Sequence, residues 1–268
     1  MSNSLKNSKY LILRRITQLS ILLLFVGGNY FGWKILIGNY SSATLFGVVL
    51  LSDPYATLQI LASGFIGAID LFIGAVTVLL FYALIGNRVF CSWVCPVNML
   101  SDFSLWLRKK LGLKNKSIIK LSRSVRYYVL TVSFIISAII GIAAFEIISP
   151  ISIFHRAIIF GVGGSWAVIL ALFIFDLTLV KNGWCGYLCP LGAFYSIVGK
   201  YGLLKVYHKK EKCTLCNKCF EVCPEVQVLS IIGKEDGFIK NGECTNCARC
   251  IDVCDDDALH FSINYLKK

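Results

Sequence analysis

Four long apolar segments stand out in the hydrophobic pattern of the first two thirds of the chain. Each is almost free of charged residues and is about as long as the roughly 20 apolar residues with which a helix crosses a bilayer. The pattern therefore predicts four transmembrane helices rather than buried helices of a soluble domain. No A-x-A-like cleavage site follows the first segment, so a cleavable signal peptide is not expected. The predicted spans cover about residues 16–36, 60–85, 127–148 and 158–180.

The composition agrees with a membrane protein. Hydrophobic residues make up 56% of the chain and charged residues 16%, whereas a soluble domain carries about 25% charged residues. A net charge of +12 would also suit a nucleic-acid-binding protein, but the positions of the basic residues argue against nucleic acid as a partner.

Lysine and arginine are concentrated on one predicted side of the membrane. Residues 38–59, after the first span, contain neither, and the loop after the third span contains Arg156 alone. Because basic loops stay in the cytoplasm, we predict a multi-pass protein of the bacterial inner membrane with both termini and the middle loop cytoplasmic. The basic residues behind this prediction are Lys6, Lys9, Arg14 and Arg15 before the first span, and Arg88, Arg108, Lys109, Lys110, Lys114, Lys116, Lys120, Arg123 and Arg126 in the middle loop.

The C-terminal tail carries one cysteine pattern twice, as CTLCNKCFEVCP and CTNCARCIDVCD. This C-x2-C-x2-C-x3-C spacing is typical of bacterial ferredoxins, in which the fourth cysteine of each run ligates the other cluster. Asp255 follows the second run where Pro224 follows the first. The spacing predicts two [4Fe–4S] clusters, one held by Cys213, Cys216, Cys219 and Cys254, the other by Cys244, Cys247, Cys250 and Cys223.

Two other uses of these thiols compete with iron–sulfur clusters. Structural disulfides are not expected, because cytosolic thiols stay reduced. Zinc also binds C-x2-C pairs, but it does not require a third and a fourth cysteine in this cadence, twice.

The two halves of the chain predict two domains. We expect an all-α polytopic membrane domain over residues 1–200, with four helices arranged as two repeated hairpins, and a small α+β ferredoxin-like domain over residues 201–268. Within the tail, VQVLSIIGKEDGFIK predicts a β-hairpin that turns at residues 234–237, and ALHFSINYL predicts a closing strand. His208 is expected on the surface.

Four further cysteines lie in two C-x3-C-P motifs, CSWVCP and CGYLCP, each just past an even-numbered span. Their recurrence indicates a parallel repeat of helical hairpins. Cysteines at i and i+4 would share one helix face, and the proline would end that turn or open the next helix. The thiols are interpreted as small buried hydrophobes, as a redox pair or as a four-thiolate metal site. They are Cys91, Cys95, Cys185 and Cys189.

Ionisable residues in or beside the spans are candidates for taking protons from a substrate, because such residues are costly in a membrane. Asp70 and Asp176 lie within the second and fourth spans, and Glu146 and His155 flank the short outer loop. Asp70 lies nearer the outer half of its span, where water has access. Asp176 lies near the inner end of its span, where a local hydrogen bond would account for it.

These motifs together resemble the membrane quinol dehydrogenase subunit of periplasmic nitrate reductase systems, the NapH type. The resemblance rests on CSWVCPVN, CGYLCPLGAFY and the doubled ferredoxin run in this order, and it covers essentially the whole chain. It implies oxidation of menaquinol or ubiquinol, with electrons passing to a periplasmic ferredoxin-like partner of NapG type and then to nitrate reductase. It leaves open how electrons from cytoplasmic clusters would return to the periplasm.

Related families remain as alternatives. NosR-type regulators have a large flavin-bearing domain before the membrane, where about fifteen residues precede the first span here, and the copper-reducing CcoG or RdxA type extends beyond the ferredoxin. A NosH-type donor to nitrous-oxide reductase shares the motifs. A non-catalytic anchor for a periplasmic ferredoxin is the alternative to an enzyme, although both ligand sets are complete.

Overall fold

The computed structural model describes residues 8–65, 67–113, 119, 121–161 and 163–263. Within them the chain divides into two compact units, and the domain boundary at residue 200 stays a prediction. One, called the cluster unit below, combines the tail with two earlier segments; the other, the apolar unit, contains most of the apolar helices. The cluster unit comprises Met1–Gln18, Phe81–Val94 and Tyr195–Lys268, and the apolar unit comprises Leu19–Leu80 and Cys95–Phe194. The basic residues Lys6, Lys114, Lys116, Lys120 and Lys268 lie outside the described part of the chain.

Helices α1 to α10 occupy the predicted membrane half. In chain order they are α1 Lys9–Tyr30, α2 Pro54–Ala62, α3 Ile69–Ile85, α4 Val89–Trp93, α5 Pro96–Lys110, α6 Val125–Ile140, α7 Ala144–Ile148, α8 Pro150–Phe160, α9 Gly163–Ile174 and α10 Pro190–Val198. Two π-helical segments, Phe175–Leu179 and Trp184–Leu188, follow α9.

The predicted spans are helical but mostly interrupted. Among the described residues, α1 is the one helix long and apolar enough to cross a membrane; four other apolar helices have 10–17 residues. The third span stops at Gly141 and α8 stops at Gly161, both with left-handed backbone, which glycine adopts readily at helix ends. The boundaries predicted for all four spans are therefore wrong, the first because α1 runs over Lys9–Tyr30 and a strand begins at Leu36. A four-helix membrane domain stays a prediction.

The charge-free segment after α1 forms a small antiparallel sheet. Its strands are β1 Leu36–Gly38, β2 Ser42–Leu45 and β3 Val49–Ser52, paired in sequence order. Leu36 and Ala43 pack against Phe25 of α1 and Ile159 of α8 in a buried cluster. The chain then enters α2 through Asp53, whose carboxylate accepts a hydrogen bond from the Tyr55 N–H (3.2 Å), while Pro54 provides the first helical residue. This sheet and the buried start of α2 place polar side chains inside the apolar unit.

The tail folds as the α+β domain that the sequence predicts. Its sheet has β4 Leu204–His208 in the centre, with β5 Gly237–Phe238 and β6 Leu259–Ile263 antiparallel on either side. The predicted closing strand is thus confirmed as β6, as far as the described residues go. Two short helices, α11 Lys218–Val222 and α12 Arg249–Asp252, follow the two cysteine loops.

The hairpin predicted for residues 226–240 is wrong. Its first half is a 3-10 turn, Val226–Leu229, and its second half pairs with β4. Val228, Leu229 and Ile232 are buried against the cysteines, so burial follows a helical rather than an alternating spacing. His208 is buried as well, and its Nδ1 lies 2.9 Å from the Glu235 carbonyl oxygen; the surface position predicted for it is also wrong.

Candidate metal centres and thiol sites

Four cysteines from both halves of the tail line one pocket. Cys223 comes from the first run, and the other three are the first three cysteines of the second run. Glu225, Thr245 and Arg249 are the other polar residues of the lining. All four cysteines are buried. The pocket lining includes Cys223, Cys244, Cys247 and Cys250.

Left-handed residues shape both cysteine loops in the same way. Leu215 and Asn217 in the first loop, and Asn246 and Ala248 in the second, have φ between 48° and 59°. Such φ values are uncommon for residues other than glycine, and their occurrence at matching positions shows that the sequence repeat is also a backbone repeat. Both loops therefore turn at the residue before and the residue after their second cysteine.

The thiols of the pocket are unfavourable as thiolates unless a cation is present. Burial raises the pKa of the Cys244 thiol to about 12, and the charges of Cys247 and Cys223 act in the same direction. Burial likewise raises the pKa of Cys250, with contributions from Cys247, Cys244 and Cys223. Four buried thiolates that repel one another are unfavourable unless cations compensate them. This donor set therefore fits an iron–sulfur cluster and would bind it with a gain in folding stability.

Three of the other four cysteines of the tail are more accessible. Cys219 is buried, Cys213 and Cys254 are half-buried against the same core, and Cys216 is exposed. The chain after Cys254 is tied to the first loop: Thr214 Oγ1 donates to Asp256 Oδ2 (2.6 Å), and Lys218 Nζ lies 2.5 Å from Asp255 Oδ2.

Asp255 therefore makes an ion pair at the position where the first run has proline. The pair is exposed on both sides, but it joins the Cys213–Cys219 loop to the segment that carries Cys254. Among the described residues no three His, Cys, Asp or Glu side chains converge around a single metal ion.

The segment before the first C-x3-C-P motif packs against the second cysteine loop within the cluster unit. Arg88 is buried, its Nη1 is 2.8 Å from Glu225 Oε1, and its N–H donates to the Cys244 carbonyl (3.1 Å). Arg88 was predicted as one of the basic residues of a cytoplasmic loop, whereas it is buried and pairs with Glu225, which lines the pocket.

Three more hydrogen bonds join this segment to the same loop. The Asn87 side-chain amide donates to Asn246 Oδ1 (2.9 Å), Ser92 Oγ to the Thr245 carbonyl (2.6 Å), and Trp93 Nε1 to the Asn246 carbonyl (3.0 Å). Cys91 lies in helix α4 between these anchors.

Cys95 and Cys189 differ from the predicted arrangement. Each has extended backbone, with ψ of 123° and 110°, and lies between two helical segments. The i, i+4 cysteines therefore do not share a continuous helix face. The prediction that proline opens the next helix is confirmed, because Pro96 and Pro190 are the first residues of α5 and α10.

Cys185 and Asp176 share one hydrogen-bonded group in the apolar unit. Ser101 Oγ donates to Asp176 Oδ2 (2.5 Å) and lies 3.5 Å from Cys185 Sγ, while the Trp184 N–H donates to Asp176 Oδ1 (3.1 Å). The local hydrogen bond expected for Asp176 is confirmed, and its oxygens are engaged by the protein. Burial raises the pKa of Cys185 well above its ordinary value, and the charges of Cys95, Asp176 and Cys189 add to that rise.

The remaining candidates for proton transfer have different surroundings. Asp70 is exposed in the first turn of α3. Glu146 accepts hydrogen bonds from Ser41 and Ser152, each 2.6 Å long. His155 is buried, and its Nε2 has no hydrogen-bond partner among the described residues.

Two residues beside His155 and Glu146 were not predicted from the sequence: Tyr40 and Asp53. Tyr40 lies in the loop between β1 and β2, and its ring contacts His155. Burial, together with the charge of Glu146, raises the pKa of Asp53 to about 7. The sequence signal for Asp53 was its position directly before Pro54, at the start of a helix inside an otherwise uncharged loop.

Asp53 is expected to make the protein less stable as pH rises. Because its folded pKa is above its unfolded value near 3.8, the native state holds the proton more tightly, and this stabilisation is lost between about pH 4 and pH 7. Asp53→Asn keeps a helix-capping side chain and should raise the midpoint of thermal unfolding more at pH 8 than at pH 5. Asp70→Asn is the matched control; an equal effect of both changes at both pH values would contradict this assignment.

Comparisons with known proteins agree with the two kinds of cysteine motif. A family described as 4Fe-4S binding domain matches twice, at residues 68–114 and 162–212, which is expected of an internal repeat. A second family, described as 4Fe-4S dicluster domain, matches residues 205–255. No solved structure matches the chain.

Relatives of two kinds are similar over most of the chain. The ferredoxin-type protein NapH of Escherichia coli is 44% identical over 84% of this chain and 78% of its own length, and that of Haemophilus influenzae is 41% identical over 85% and 80%. The methylamine utilization ferredoxin-type protein MauN of Methylorubrum extorquens is 42% identical over 84% and 78%. The chain therefore belongs to the NapH and MauN family of ferredoxin-type iron–sulfur electron-transfer proteins.

Proposed function

We propose that the chain is the quinol dehydrogenase subunit of a membrane electron-transfer system. The observation that carries this proposal is the complete and doubled cysteine set of a two-cluster ferredoxin, in one chain with a set of apolar helices that contain buried ionisable residues. A ferredoxin alone would need no apolar unit, and the quinol that such a unit can reach is a lipid-soluble electron donor.

Two ligand sets are proposed for the clusters. Cys223, Cys244, Cys247 and Cys250, which line one pocket, would hold one cluster. The second set is Cys213, Cys216, Cys219 and Cys254, supported by the contacts of Asp255 and Asp256 with the first loop. When bound, such clusters accept and release single electrons at potentials that the protein environment sets. The protein itself supplies the burial, the loop geometry and the nearby Arg88.

Two electron acceptors are proposed for the pathway. The resemblance to the NapH type favours a periplasmic ferredoxin-like protein of NapG type and then nitrate reductase. The MauN proteins are similar to about the same degree, so electron transfer during methylamine utilization is the second candidate. Complementation of a strain lacking its own NapH protein separates them: restored nitrate-dependent anaerobic growth supports the first, and complementation only of a strain lacking MauN supports the second.

Orientation is proposed from the basic residues. Reporter fusions within residues 38–59 should be active in the periplasm, and fusions after Ile263 should be active in the cytoplasm. The reason is that the basic middle loop stays in the cytoplasm and thereby sets the direction of the spans on either side of it. Alkaline phosphatase and green fluorescent protein fusions at both places measure this directly. A C-terminal fusion active as a periplasmic reporter would reverse the orientation and would place the clusters on the side of the acceptor.

An enzyme and an inert anchor differ in one measurable property. Inner membranes with the wild-type chain should transfer electrons from added quinol to the purified periplasmic partner, whereas membranes with Cys244→Ser should not. Binding of the partner to both membranes is the control for assembly. Equal binding with no quinol-dependent reduction by the wild type would leave the chain as an anchor.

A further inference from the structure

The two halves of the apolar unit place a polar residue at the same position of two short helices. Helices α2 and α8 each begin with proline, and each precedes a longer apolar helix that leads to a C-x3-C-P motif. Five residues after the proline stand Gln59 in α2 and His155 in α8. Both side chains are buried, with 0% and 4% exposure. The repeat thus carries an amide in one copy and a titratable base in the other.

The surroundings of the two residues differ. Gln59 lies beside the Tyr55 hydroxyl, which itself meets Ser133. The amide nitrogen and oxygen of Gln59 are buried without a hydrogen-bond partner among the described residues, as is His155 Nε2. His155 instead meets the edges of two aromatic rings: its ring centroid is 5.2 Å from that of Phe25 and 5.7 Å from that of Tyr40, at near-perpendicular angles. No described residue hydrogen-bonds to His155 Nε2.

Tyr40 supplies a second polar atom without a protein partner. Its hydroxyl is buried and makes no hydrogen bond with any described residue, while its ring packs on Phe25 with a centroid distance of 4.9 Å. Burial, and to a smaller extent a thiolate charge at Cys95, raises the pKa of Tyr40. Two unsatisfied polar atoms in one apolar cluster are costly in a folded protein, and functional sites are where such costs are tolerated.

We propose that His155 and Tyr40 form the site that binds the quinol head group, with His155 Nε2 accepting a proton from a quinol hydroxyl. This inference rests on the proposed quinol dehydrogenase function. Apolar and aromatic walls with a few convergent polar atoms are the usual form of such a pocket. Phe25 and Tyr40 provide the aromatic walls, and the two unpartnered polar atoms provide the hydrogen bonds.

The chemistry balances with one base at the site. Oxidation of one quinol breaks two O–H bonds and gives quinone, two protons and two electrons. One proton passes to Nε2, which becomes an imidazolium N–H, and the other passes to water. The two electrons leave singly, and one would pass to each of the two iron–sulfur clusters that the tail is proposed to hold. The Tyr40 hydroxyl donates a hydrogen bond to one of the two hydroxyl oxygens of the quinol and so orients the head group.

His155 differs in its surroundings from three carboxylates of the apolar unit, those of Asp53, Glu146 and Asp176. Burial, and then the charge of Arg156, lower the pKa of His155, so the ring is neutral and able to accept a proton near neutral pH. Glu146 and Asp176 are engaged by serine hydroxyls. Asp53 directs its carboxylate to the start of α2. These carboxylates are therefore occupied, whereas Nε2 is available.

The test uses the full chain in lipid nanodiscs, with both clusters loaded and oxidised, mixed anaerobically with menaquinol. His155→Gln places in the second repeat the residue that the first repeat has at this position, and should slow quinol-driven loss of the iron–sulfur absorbance about 100-fold, as expected for a general base. Tyr40→Phe should weaken binding of a quinone-site inhibitor about fivefold, as expected for one hydrogen bond. Reduction by dithionite should be unchanged in both variants.

Tyr128→Phe is the matched control, because Tyr128 is exposed on α6. It should behave as the wild type. If His155→Gln lowers cluster content, His155→Asn is measured in its place, with rates scaled to the clusters present. Wild-type rates in the histidine variants, or wild-type inhibitor binding in Tyr40→Phe, would overturn this site. No quinol-driven reduction in the wild type would instead overturn the proposed function.

Discussion

Replacing Cys223 with serine is expected to remove the cluster of the second cysteine loop and to spare the cluster of its own run. Cys223 lines the same pocket as three cysteines of the second run, and a serine hydroxyl is a poor ligand for this soft metal core. Purified anaerobically, the variant should hold about four irons where the wild type holds about eight. Iron analysis and electron paramagnetic resonance of the reduced protein measure this.

Cys254→Ser is the matched control, since it should remove the opposite cluster. Its residual spectrum should be that of the buried pocket, whereas the residual spectrum of Cys223→Ser should be that of the more exposed first loop. Loss of the same signal in both variants would contradict the crossed ligand sets. Zinc in place of iron in the wild-type protein would contradict the clusters altogether.

The second large effect is expected at the thiols of the two C-x3-C-P motifs. If these cysteines act as one unit, the pair Cys185→Ser/Cys189→Ser should abolish quinol-dependent electron transfer as fully as the quadruple serine variant, because residues that act together are strongly non-additive. The pKa of Cys185 already responds to Cys95 and Cys189, which is expected of neighbouring thiols within the apolar unit.

Two measurements make this result interpretable. Cluster content should stay at the wild-type level in the Cys185/Cys189 variant, because these residues are not in the cluster unit. The Cys91→Ser/Cys95→Ser variant is harder to interpret, because α4 packs against the Cys244 loop and its cluster content could change. The similar size of serine and cysteine limits this effect. Near-normal turnover of a well-inserted quadruple variant would show that these cysteines are only small buried hydrophobes.

The sequence carried the cluster chemistry well because ligand spacing is a local property. The four cysteines of each run lie within eleven consecutive residues, so their spacing is visible in the sequence. The left-handed backbone at Asn217 and Ala248 recurs at the same position of the two runs. The closing strand was also predictable, from its alternation. The residues that surround the cysteines were harder to predict. Arg88 was assigned to a basic cytoplasmic loop because its partner Glu225 is distant in the sequence.

The apolar half was predicted more coarsely. Hydropathy averages over about 20 residues, so it merged α2 with α3 and α8 with α9, although Gly161 was visible as a helix end. Alternation over residues 226–232 suggested a strand, but tertiary packing against the cysteines selected a 3-10 turn. Tyr40 carried no signal at all, since a tyrosine in a polar loop becomes a site residue only when the sheet brings it to His155.

The most direct test of the account is an anaerobic single-turnover experiment with limiting menaquinol. Wild-type protein carrying both clusters, oxidised in nanodiscs, is mixed with less than one equivalent of quinol, and quinone formation and cluster reduction are followed together. The account predicts two clusters reduced for each quinol oxidised, with no added partner. Quinol that remains unoxidised while dithionite still reduces both clusters would contradict it.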